Sequence, residues 1–272
     1  MTARTEPAYA SGVPALRRLR WWGAFRTLVT KEVRRFLRIW AQTLLPPVIS
    51  TTLYLLIFGH LIGQRIGPMG GHQYIAFIVP GLVMLAVITN AYGNVVSSFF
   101  AAKMQGFVPE LLVAPIPNWL ILAGYVVCAV VRALLTAVLV SAVAFALADF
   151  SIAHMGLTVV FAVITAVLFA LAGFINAVYA NSFDHISIVP TFVLTPLTYL
   201  GGVFYSVDLL PPFWRLLSLA NPVLYLVDGF RYAILGSSDI PVLNGLSLLL
   251  VLTAALGAWA LWLMQRGVGI KT

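Results

Sequence analysis

The chain has 272 residues, of which 61% are apolar and 9% are charged, with 16 Lys and Arg against 8 Asp and Glu. In a soluble domain roughly a quarter of all residues are charged. This composition therefore excludes a large soluble catalytic or binding domain and predicts a membrane protein. Because about 20 apolar helical residues cross a bilayer, the length allows about six crossings. Nine of the sixteen cations precede Trp40, so the basic excess indicates orientation in a membrane rather than nucleic-acid binding.

The first 40 residues predict a tail followed by an amphipathic helix. Residues 1–38 are basic and mostly polar, which argues against a cleaved signal peptide. We expect a flexible tail at 1–16 and an elbow helix at 17–40 in the plane of the membrane interface, because its apolar residues recur at three- and four-residue steps. The opposite face, which is expected to meet lipid headgroups or water, carries Lys31, Arg34, Arg35 and Arg38. An orientation anchor and a contact for a partner protein are both open interpretations.

Runs without charges predict six membrane-spanning helices, at about 43–62, 74–98, 119–147, 153–180, 186–204 and 243–264, of which the third contains one cation. The fifth contains Pro190 and Pro196 and closes with Gly201 and Gly202, which predicts a kinked or broken helix. An even number of spans places both termini on one side. With a cytoplasmic N-terminus, that face carries twelve cations and the opposite face carries three, in agreement with the positive-inside tendency.

The segment after the second predicted span lies on the cytoplasmic face in this topology. It sets Lys103, Gln105 and Glu110 among apolar residues, which predicts a short amphipathic helix that ends at the Pro-Ile-Pro sequence of residues 115–117. A simple connection between two helices is one interpretation. A surface that contacts lipid or a docked protein is the other.

Arg132 is the cation near the middle of the third predicted span. A mid-span cation costs about 2.5–3.5 kcal/mol on insertion scales, so such residues usually face a bundle interior or an aqueous path. Arg132 is therefore a functional candidate, although bonds to backbone carbonyls in a purely structural role would also explain it. Asp149 lies 17 residues further on and near the opposite face, so the sequence places no carboxylate at the depth of Arg132.

The region at 206–239 predicts a re-entrant helical hairpin before the last span. It is interrupted by prolines and charges, which argues against a crossing, yet it is rich in aromatic and aliphatic residues. Two short helices partly sunk into the outer leaflet would satisfy both features if they are buried in protein or line a cavity. Asp228 and Arg231 are three residues apart and can pair on one helical face. We interpret this pair as structural.

Several chemistries are excluded by the sequence. It contains no GxxxxGK[ST] phosphate loop, so we expect no ATP hydrolysis by this chain itself. It offers no spaced pair of carboxylates and no Ser/His/Asp grouping for hydrolytic catalysis. The single cysteine, Cys128, and the scattered histidines predict no disulfide, metal site or resident cofactor, because His60, His72, His154 and His185 form no ligand-spaced pair.

Long stretches of the chain resemble the ABC-2 type permeases, and most closely the YadH-like group of bacterial inner-membrane permeases. These stretches are FLRIWAQTLLPPVISTTLYLLIFG at 36–59, FIVPGLVMLAVITNAYGNVVSSFF at 77–100, ELLVAPIP at 110–117, VPTFVLTPLTYLGGVFYSVDLLPPFW at 189–214 and NPVLYLVDGFRYAILG at 221–236. The resemblance implies an all-α membrane protein with the ABC-2 (type V exporter) permease fold. It implies a six-helix permease domain at 41–265, behind the elbow helix, and a cytoplasmic tail at 266–272.

The resemblance also implies partners. Two copies of the chain would form the pathway, and two copies of a separate cytoplasmic ABC ATPase would bind ATP and Mg below them, with membrane lipids around the assembly. The elbow and the loop after the second helix would receive the motion of the ATPase, through Lys31, Arg34, Arg35, Lys103, Gln105, Gly106, Glu110 and Leu111. Glu110 stands where the family usually has an acidic residue, whereas Phe107, Val108 and Pro109 depart from its more polar pattern and predict a more apolar docking surface.

The family further implies that the first, second and fifth helices line the route. The expected path residues are Tyr54, Asn90, Thr195, Thr198 and Tyr199, together with Arg132. We expect an exporter subunit in the bacterial inner membrane, with both termini cytoplasmic, that moves an amphipathic or lipid-linked substrate outward. The alternatives are an ion-coupled secondary transporter, disfavoured because the predicted spans contain no Asp or Glu, and a membrane-embedded lipid-modifying enzyme, disfavoured because no carboxylate or histidine cluster occurs.

Overall fold

A computed structural model describes residues 13–114, 116–148 and 150–269. These residues are helical apart from short connections, and the part of the chain that is described contains no β-strand, only an isolated bridge between Met69 and His72. The prediction of an all-helical protein is confirmed. Most of the predicted tail at 1–16, Asp149 and the last three residues, Lys271 among them, lie outside the described ranges.

The N-terminal half begins with helix α1 (Val13–Arg38), which has Arg35 and Arg38 in its last turn, where cations favour the negative end of the helix dipole. The next helical region is interrupted. It consists of α2 (Trp40–Thr43), α3 (Leu45–Tyr54), a π-helical segment (Leu55–Ile62) and α4 (Gly63–Ile66). Pro46 and Pro47 stand in the opening turn of α3, where a missing N–H costs little.

The central column of the molecule is α5 (Tyr74–Met104), which packs along α7 (Asn118–Leu147) and α8 (Met155–Tyr179). Most of its side chains are buried. Gly173 lets α8 approach α5 closely, because a Cβ atom at this position would lie 2.6 Å from the carbonyl oxygen of Tyr92 in α5. Small residues at such crossings are typical of packed membrane helices. The short helix α6 (Phe107–Val113) joins α5 to α7.

A broken helix follows α8. It runs through α9 (Phe183–Val189), a π-helical segment (Pro190–Leu194) and α10 (Thr195–Tyr199). Pro190 has no backbone N–H to donate, and from this residue the α-helical hydrogen-bond pattern is replaced by the wider π-helical pattern. The helix ends five residues before the predicted boundary at 204, and Gly202 then adopts a left-handed φ of 70°, a conformation that glycine adopts without strain.

The C-terminal region contains two short helices, α11 (Pro212–Leu219) and α12 (Pro222–Leu235), and the long α13 (Val242–Arg266). Asn221 connects this region to the broken helix. Its side chain accepts a hydrogen bond from the backbone N–H of Val223 at 3.0 Å and donates one to the carbonyl of Leu197 at 2.6 Å. The N-cap of α12 therefore also holds the end of α10.

Five helical regions within the described residues are long and apolar enough to cross a membrane: Trp40–Ile62, Tyr74–Met104, Asn118–Leu147, Met155–Tyr179 and Val242–Arg266. They correspond to the first, second, third, fourth and sixth predicted spans. The sequence-predicted fifth span is represented by the broken helix from α9 to α10, which is shorter than these five.

Candidate functional site

A polar cavity of about 440 Å³ lies between α3, α5, α7 and the broken helix. It brings together all six residues that the sequence suggests for a path, which are Tyr54, Asn90, Arg132, Thr195, Thr198 and Tyr199. They come from four separate parts of the chain. The rest of the lining combines further hydroxyl and amide side chains with prolines, leucines and one alanine, so the cavity offers both polar and apolar surface.

Arg132 reaches this cavity from the middle of α7. Its Nε donates to Asn90 Oδ1 at 3.2 Å, Nη1 to Asn94 Oδ1 at 3.4 Å and Nη2 to the carbonyl of Thr43 at 3.4 Å. All three acceptors are neutral and all three bonds are long for a charged donor. Among the described residues, no carboxylate forms an ion pair with Arg132. The guanidinium group is held in place but its charge is not compensated there.

Helix α1, the predicted elbow helix, is connected to Arg132 through Glu32 and Arg35. Glu32 is buried, with 4% exposure. Glu32 pairs with Arg35 at 2.9 Å and accepts a hydrogen bond from the hydroxyl of Ser98 on α5. Arg35 Nη2 in turn donates to Asn94 Oδ1 at 3.3 Å. Asn94 therefore accepts bonds from two arginines, Arg35 on α1 and Arg132 on α7.

This arrangement corrects one sequence prediction. Arg35 is expected on the face of α1 that meets water or headgroups, whereas the structure leaves it half-buried against Asn94. The reason is that Leu28, Glu32 and Phe36, at four-residue steps, form the side of α1 that packs on the bundle. Leu28 lies against Gly124 of α7, where a Cβ atom would be 2.5 Å from its Cδ2. Because α1 packs on other helices, its tertiary contacts rather than its hydropathy pattern determine where Arg35 lies.

Glu32, Asn94 and Ser98 are not among the residues singled out from the sequence. A signal for two of them exists, because Asn90, Asn94 and Ser98 follow one another at four-residue steps and so share one face of α5. All three are buried. No comparable signal exists for Glu32, which sits among cations and reads as an exposed residue of a basic helix.

A second cavity of about 460 Å³ lies between α1, α6 and the start of α7. Its lining includes three of the residues suggested for contact with an ATPase, Lys31, Glu110 and Leu111. The Lys31 ammonium lies 5.4 Å from the centre of the Phe107 ring, a distance at which a cation is attracted to the ring face. The remaining lining is largely apolar. We call this cavity the elbow groove.

The other suggested contact residues lie apart from the elbow groove. Gln105 and Gly106 form the exposed turn between α5 and α6, and Gly106 has a left-handed φ of 76°. Arg34 and Arg35 line an adjoining basic surface with Arg26 and Arg38, and this surface shares Lys31 with the elbow groove. Lys103 is occupied elsewhere, because its Nζ donates to the carbonyls of Val178 at 2.7 Å and Ala180 at 2.8 Å at the end of α8.

The pair suggested as structural, Asp228 and Arg231, lies in α12 with 3.6 Å between the carboxylate and the guanidinium group. Arg231 donates to the carbonyl of Gly202 at 2.6 Å and lies 3.9 Å from the centre of the Phe77 ring. Asp228 accepts hydrogen bonds from the backbone N–H groups of Asp239 and Ile240, each at 3.1 Å. The pair therefore ties the loops on both sides of the short helices to α5.

The described residues also contain no group of three His, Cys, Asp or Glu side chains that could hold a metal ion. The features that remain are a bundle of apolar helices, a polar cavity among them, and helix α1, which is connected through Asn94 to Arg132 at that cavity. Together they define a multi-pass membrane protein of the permease class.

Comparison with known proteins identifies the family. The family model described as ABC-2 type transporter matches residues 23–235. The "Inner membrane transport permease YadH" of Escherichia coli strain K12 is 53% identical over 252 residues, which cover 93% of this chain and 98% of that protein. The chain belongs to the ABC-2 type transporter family, and the predicted resemblance is confirmed. It is a multi-pass inner-membrane protein and the membrane permease of an ABC transporter.

More distant relatives carry a different name. "Nodulation protein J" of Rhizobium leguminosarum bv. trifolii is 25% identical over 201 residues, which are 74% of this chain and 77% of that protein. The protein of the same name from Rhizobium meliloti strain 1021 is 23% identical over 209 residues, covering 75% and 80% of the two chains. Membership of the family implies an ABC ATPase as a partner in general terms.

Proposed function

We propose that this chain is the membrane-spanning subunit of an ABC exporter, and that it moves an amphipathic or lipid-linked substrate outward with energy from a separate ATPase. The observation that carries the proposal is the continuous set of hydrogen bonds from the elbow helix to the polar cavity. Glu32 and Arg35 on α1 connect to Asn94 on α5, and Asn94 connects to Arg132 at the cavity. Movement of the elbow would thus reach the cavity directly.

The proposed topology has six spans. The run from α9 to α10 and the residues that follow it would form the fifth, and the short helices α11 and α12 would form a re-entrant hairpin in the outer leaflet. With twelve cations on one face and three on the other, both termini would be cytoplasmic. The proposed units are a tail at 1–16, an interfacial elbow helix at 17–40, the permease domain at 41–265 and a tail at 266–272.

The proposed assembly contains two copies of this chain and two copies of the ATPase, which would bind ATP and Mg, while this chain would hold no cofactor. Closure of the ATPases would press on the elbow groove, which has Lys31, Glu110 and Leu111 in its lining. The energy for a conformational change comes only from contacts that differ between the ATPase states. The π-helical turn at Pro190 is a weak point at which the broken helix could then move.

An amphipathic substrate fits the character of the cavity. Its lining combines hydroxyl, amide and guanidinium groups with leucine and proline side chains, and no Asp or Glu of the described chain takes part in it. An ion-coupled secondary transporter would need an ionisable carboxylate at such a site, and a lipid-modifying enzyme would need an acid-base group there. The cavity lining supports neither alternative.

Affinity purification of the chain in a mild detergent, followed by mass spectrometry, tests the proposal. We expect a cytoplasmic ABC ATPase and a bound amphiphile to co-purify. Reconstituted together in vesicles, the two proteins should move that amphiphile only when ATP is present. Transport by the purified permease alone, without any ATPase recoverable from the native cell, would overturn the proposal.

A further inference from the structure

We propose that the polar cavity binds an anionic group of the substrate, a phosphate or an anion of similar size, with Arg132 as its counter-charge. This inference deepens the proposed function by naming a substrate class, anionic amphiphiles, and its transport aspect rests on that function. The binding step itself depends only on the cavity and on Arg132.

The charges around Arg132 favour an anionic occupant. Within the described residues, Glu32 is the carboxylate that hydrogen bonds link to Arg132, through Arg35 and Asn94. Its ion pair is with Arg35. Both Arg35 and Arg132 contact the neutral Oδ1 of Asn94, at 3.3 and 3.4 Å. The two guanidinium groups thus share a neutral acceptor, and the one carboxylate beside them pairs with Arg35, so the positive charge of Arg132 stays uncompensated beside the cavity. A charge removed from bulk water in this way favours a counter-ion.

The other acidic side chains of the described chain are engaged or distant. Asp228 pairs with Arg231, Asp208 pairs with Arg215, and Asp239 accepts a hydrogen bond from Ser206. Glu110 lines the elbow groove and Asp184 is exposed in α9. At about 1.5 Å of rise per residue, the C-terminal end of α7, where Asp149 follows, is roughly 22 Å from Arg132 along the helix.

The present partners of Arg132 are replaceable. Its three hydrogen bonds are 3.2–3.4 Å long and end on amide or carbonyl oxygens. A phosphate oxygen would offer the same donors an opposite charge as well as a hydrogen bond, at the shorter distance of about 2.7–2.9 Å that is typical of such ion pairs. The planar fork of arginine matches two phosphate oxygens at once. Exchange of weak neutral acceptors for an anion is therefore favourable.

The size of the cavity indicates how an amphiphile would lie. A volume of about 440 Å³ is within the range of small-ligand sites and fits a headgroup better than long acyl chains. Ile49 and Leu53 of α3, beside the cavity-lining residues of that helix, and Val193 of the broken helix are exposed apolar side chains. The hydrocarbon tails would lie against this outer surface, while the charged group enters the cavity.

Binding to the purified permease in a neutral maltoside detergent, counted by native mass spectrometry, tests the inference without an ATPase. The probes are lysophosphatidic acid, lysophosphatidylcholine with the same acyl chain, and inorganic phosphate. We expect saturable binding of lysophosphatidic acid, at least tenfold tighter than that of lysophosphatidylcholine. Binding of inorganic phosphate with equal affinity would identify a free anion, rather than an anionic lipid, as the occupant and would overturn the amphiphile class.

The variants separate charge from folding. Arg132→Gln should weaken lysophosphatidic acid binding at least tenfold, and Arg132→Lys, which keeps the charge but loses the fork, should weaken it less. Arg65→Gln removes an exposed cation and serves as the matched control with unchanged binding. Elution volume in size-exclusion chromatography checks folding. If Arg132→Gln fails this check, equal affinities of the unchanged protein for lysophosphatidic acid and lysophosphatidylcholine overturn the inference.

Two outcomes distinguish this inference from the proposed function. If the permease couples to an ATPase but Arg132→Gln binds lysophosphatidic acid as the unchanged protein does, the anion site is refuted and the exporter assignment stands. If binding depends on Arg132 but no ATPase accompanies the chain and transport needs no ATP, the anion site stands and the exporter assignment is refuted.

Discussion

Two arginines of this protein lie away from bulk water in very different surroundings. Arg231 is 2% exposed, pairs with a carboxylate in its own helix and lies on an aromatic ring. Arg132 is partly open to a cavity and has only neutral hydrogen-bond partners among the described residues. The first is a closed and charge-balanced connection between loops, and the second leaves its charge available. This difference separates a structural arginine from one that can act on a ligand.

The largest expected effect follows from removing the negative charge of the buried Asp228–Arg231 pair. Asp228→Asn leaves Arg231 as an uncompensated buried charge, and breaking such a pair costs about 3–5 kcal/mol of stability. We expect a marked loss of thermal stability in detergent, measured by tryptophan fluorescence. The control is Asp208→Asn, which removes the exposed pair with Arg215 and should cost about 0–1 kcal/mol. Equal losses in the two variants would show that the α12 pair is not the tie inferred here.

A smaller loss is expected at the link between the elbow and the cavity. Glu32→Gln keeps the shape of the side chain and a hydrogen-bond acceptor for Ser98, but it removes the only charge that balances Arg35 among their described contacts. We expect a cost of about 1–3 kcal/mol. We also expect weaker stimulation of ATP turnover by substrate in the reconstituted complex. Unchanged stability and turnover would contradict a role for this network in coupling.

Arg132→Leu should behave in the opposite way to Asp228→Asn. It removes an uncompensated charge, so we expect the free energy of unfolding to change by no more than about 1 kcal/mol and membrane insertion to stay intact. Export by the reconstituted complex should nevertheless fall at least tenfold. Normal export by this variant would assign Arg132 to the structural class that Arg231 represents.

The least effect on stability is expected in the elbow groove. Glu110→Lys changes an exposed position beside Lys31 and Leu111, so the protein should fold and insert normally. Coupling should weaken, because the charge presented to the ATPase is reversed. ATP turnover and transport by the reconstituted complex check this expectation, with Asp184→Lys, the same charge reversal at an exposed residue of α9, as the control. Transport at the normal rate in both variants would remove Glu110 from the contact surface.

Much of the fold follows from local sequence patterns. Apolar runs free of charge give the long helices, since a helix is the simplest way to satisfy backbone groups in a bilayer. Proline and glycine positions indicate where the broken helix yields, and Pro190 does mark the start of a π-helical turn. The contact residues around the elbow are less predictable. Lys103 is predicted to contact the ATPase and Arg35 to face water or headgroups, yet Lys103 binds the carbonyls at the end of α8 and Arg35 lies against Asn94.

Composition and hydrophobic periodicity alone determined the membrane class, the helical architecture and the identity of Arg132 as an unusual residue, because the cost of charge in hydrocarbon makes each such residue conspicuous. The spacing of Asp228 and Arg231 already indicated their pair. Only the tertiary structure decided that Glu32 is buried and that Asn94 is shared by two arginines, Arg35 and Arg132. Charge compensation depends on distances of a few ångströms between residues far apart in the chain, and no local pattern encodes those distances.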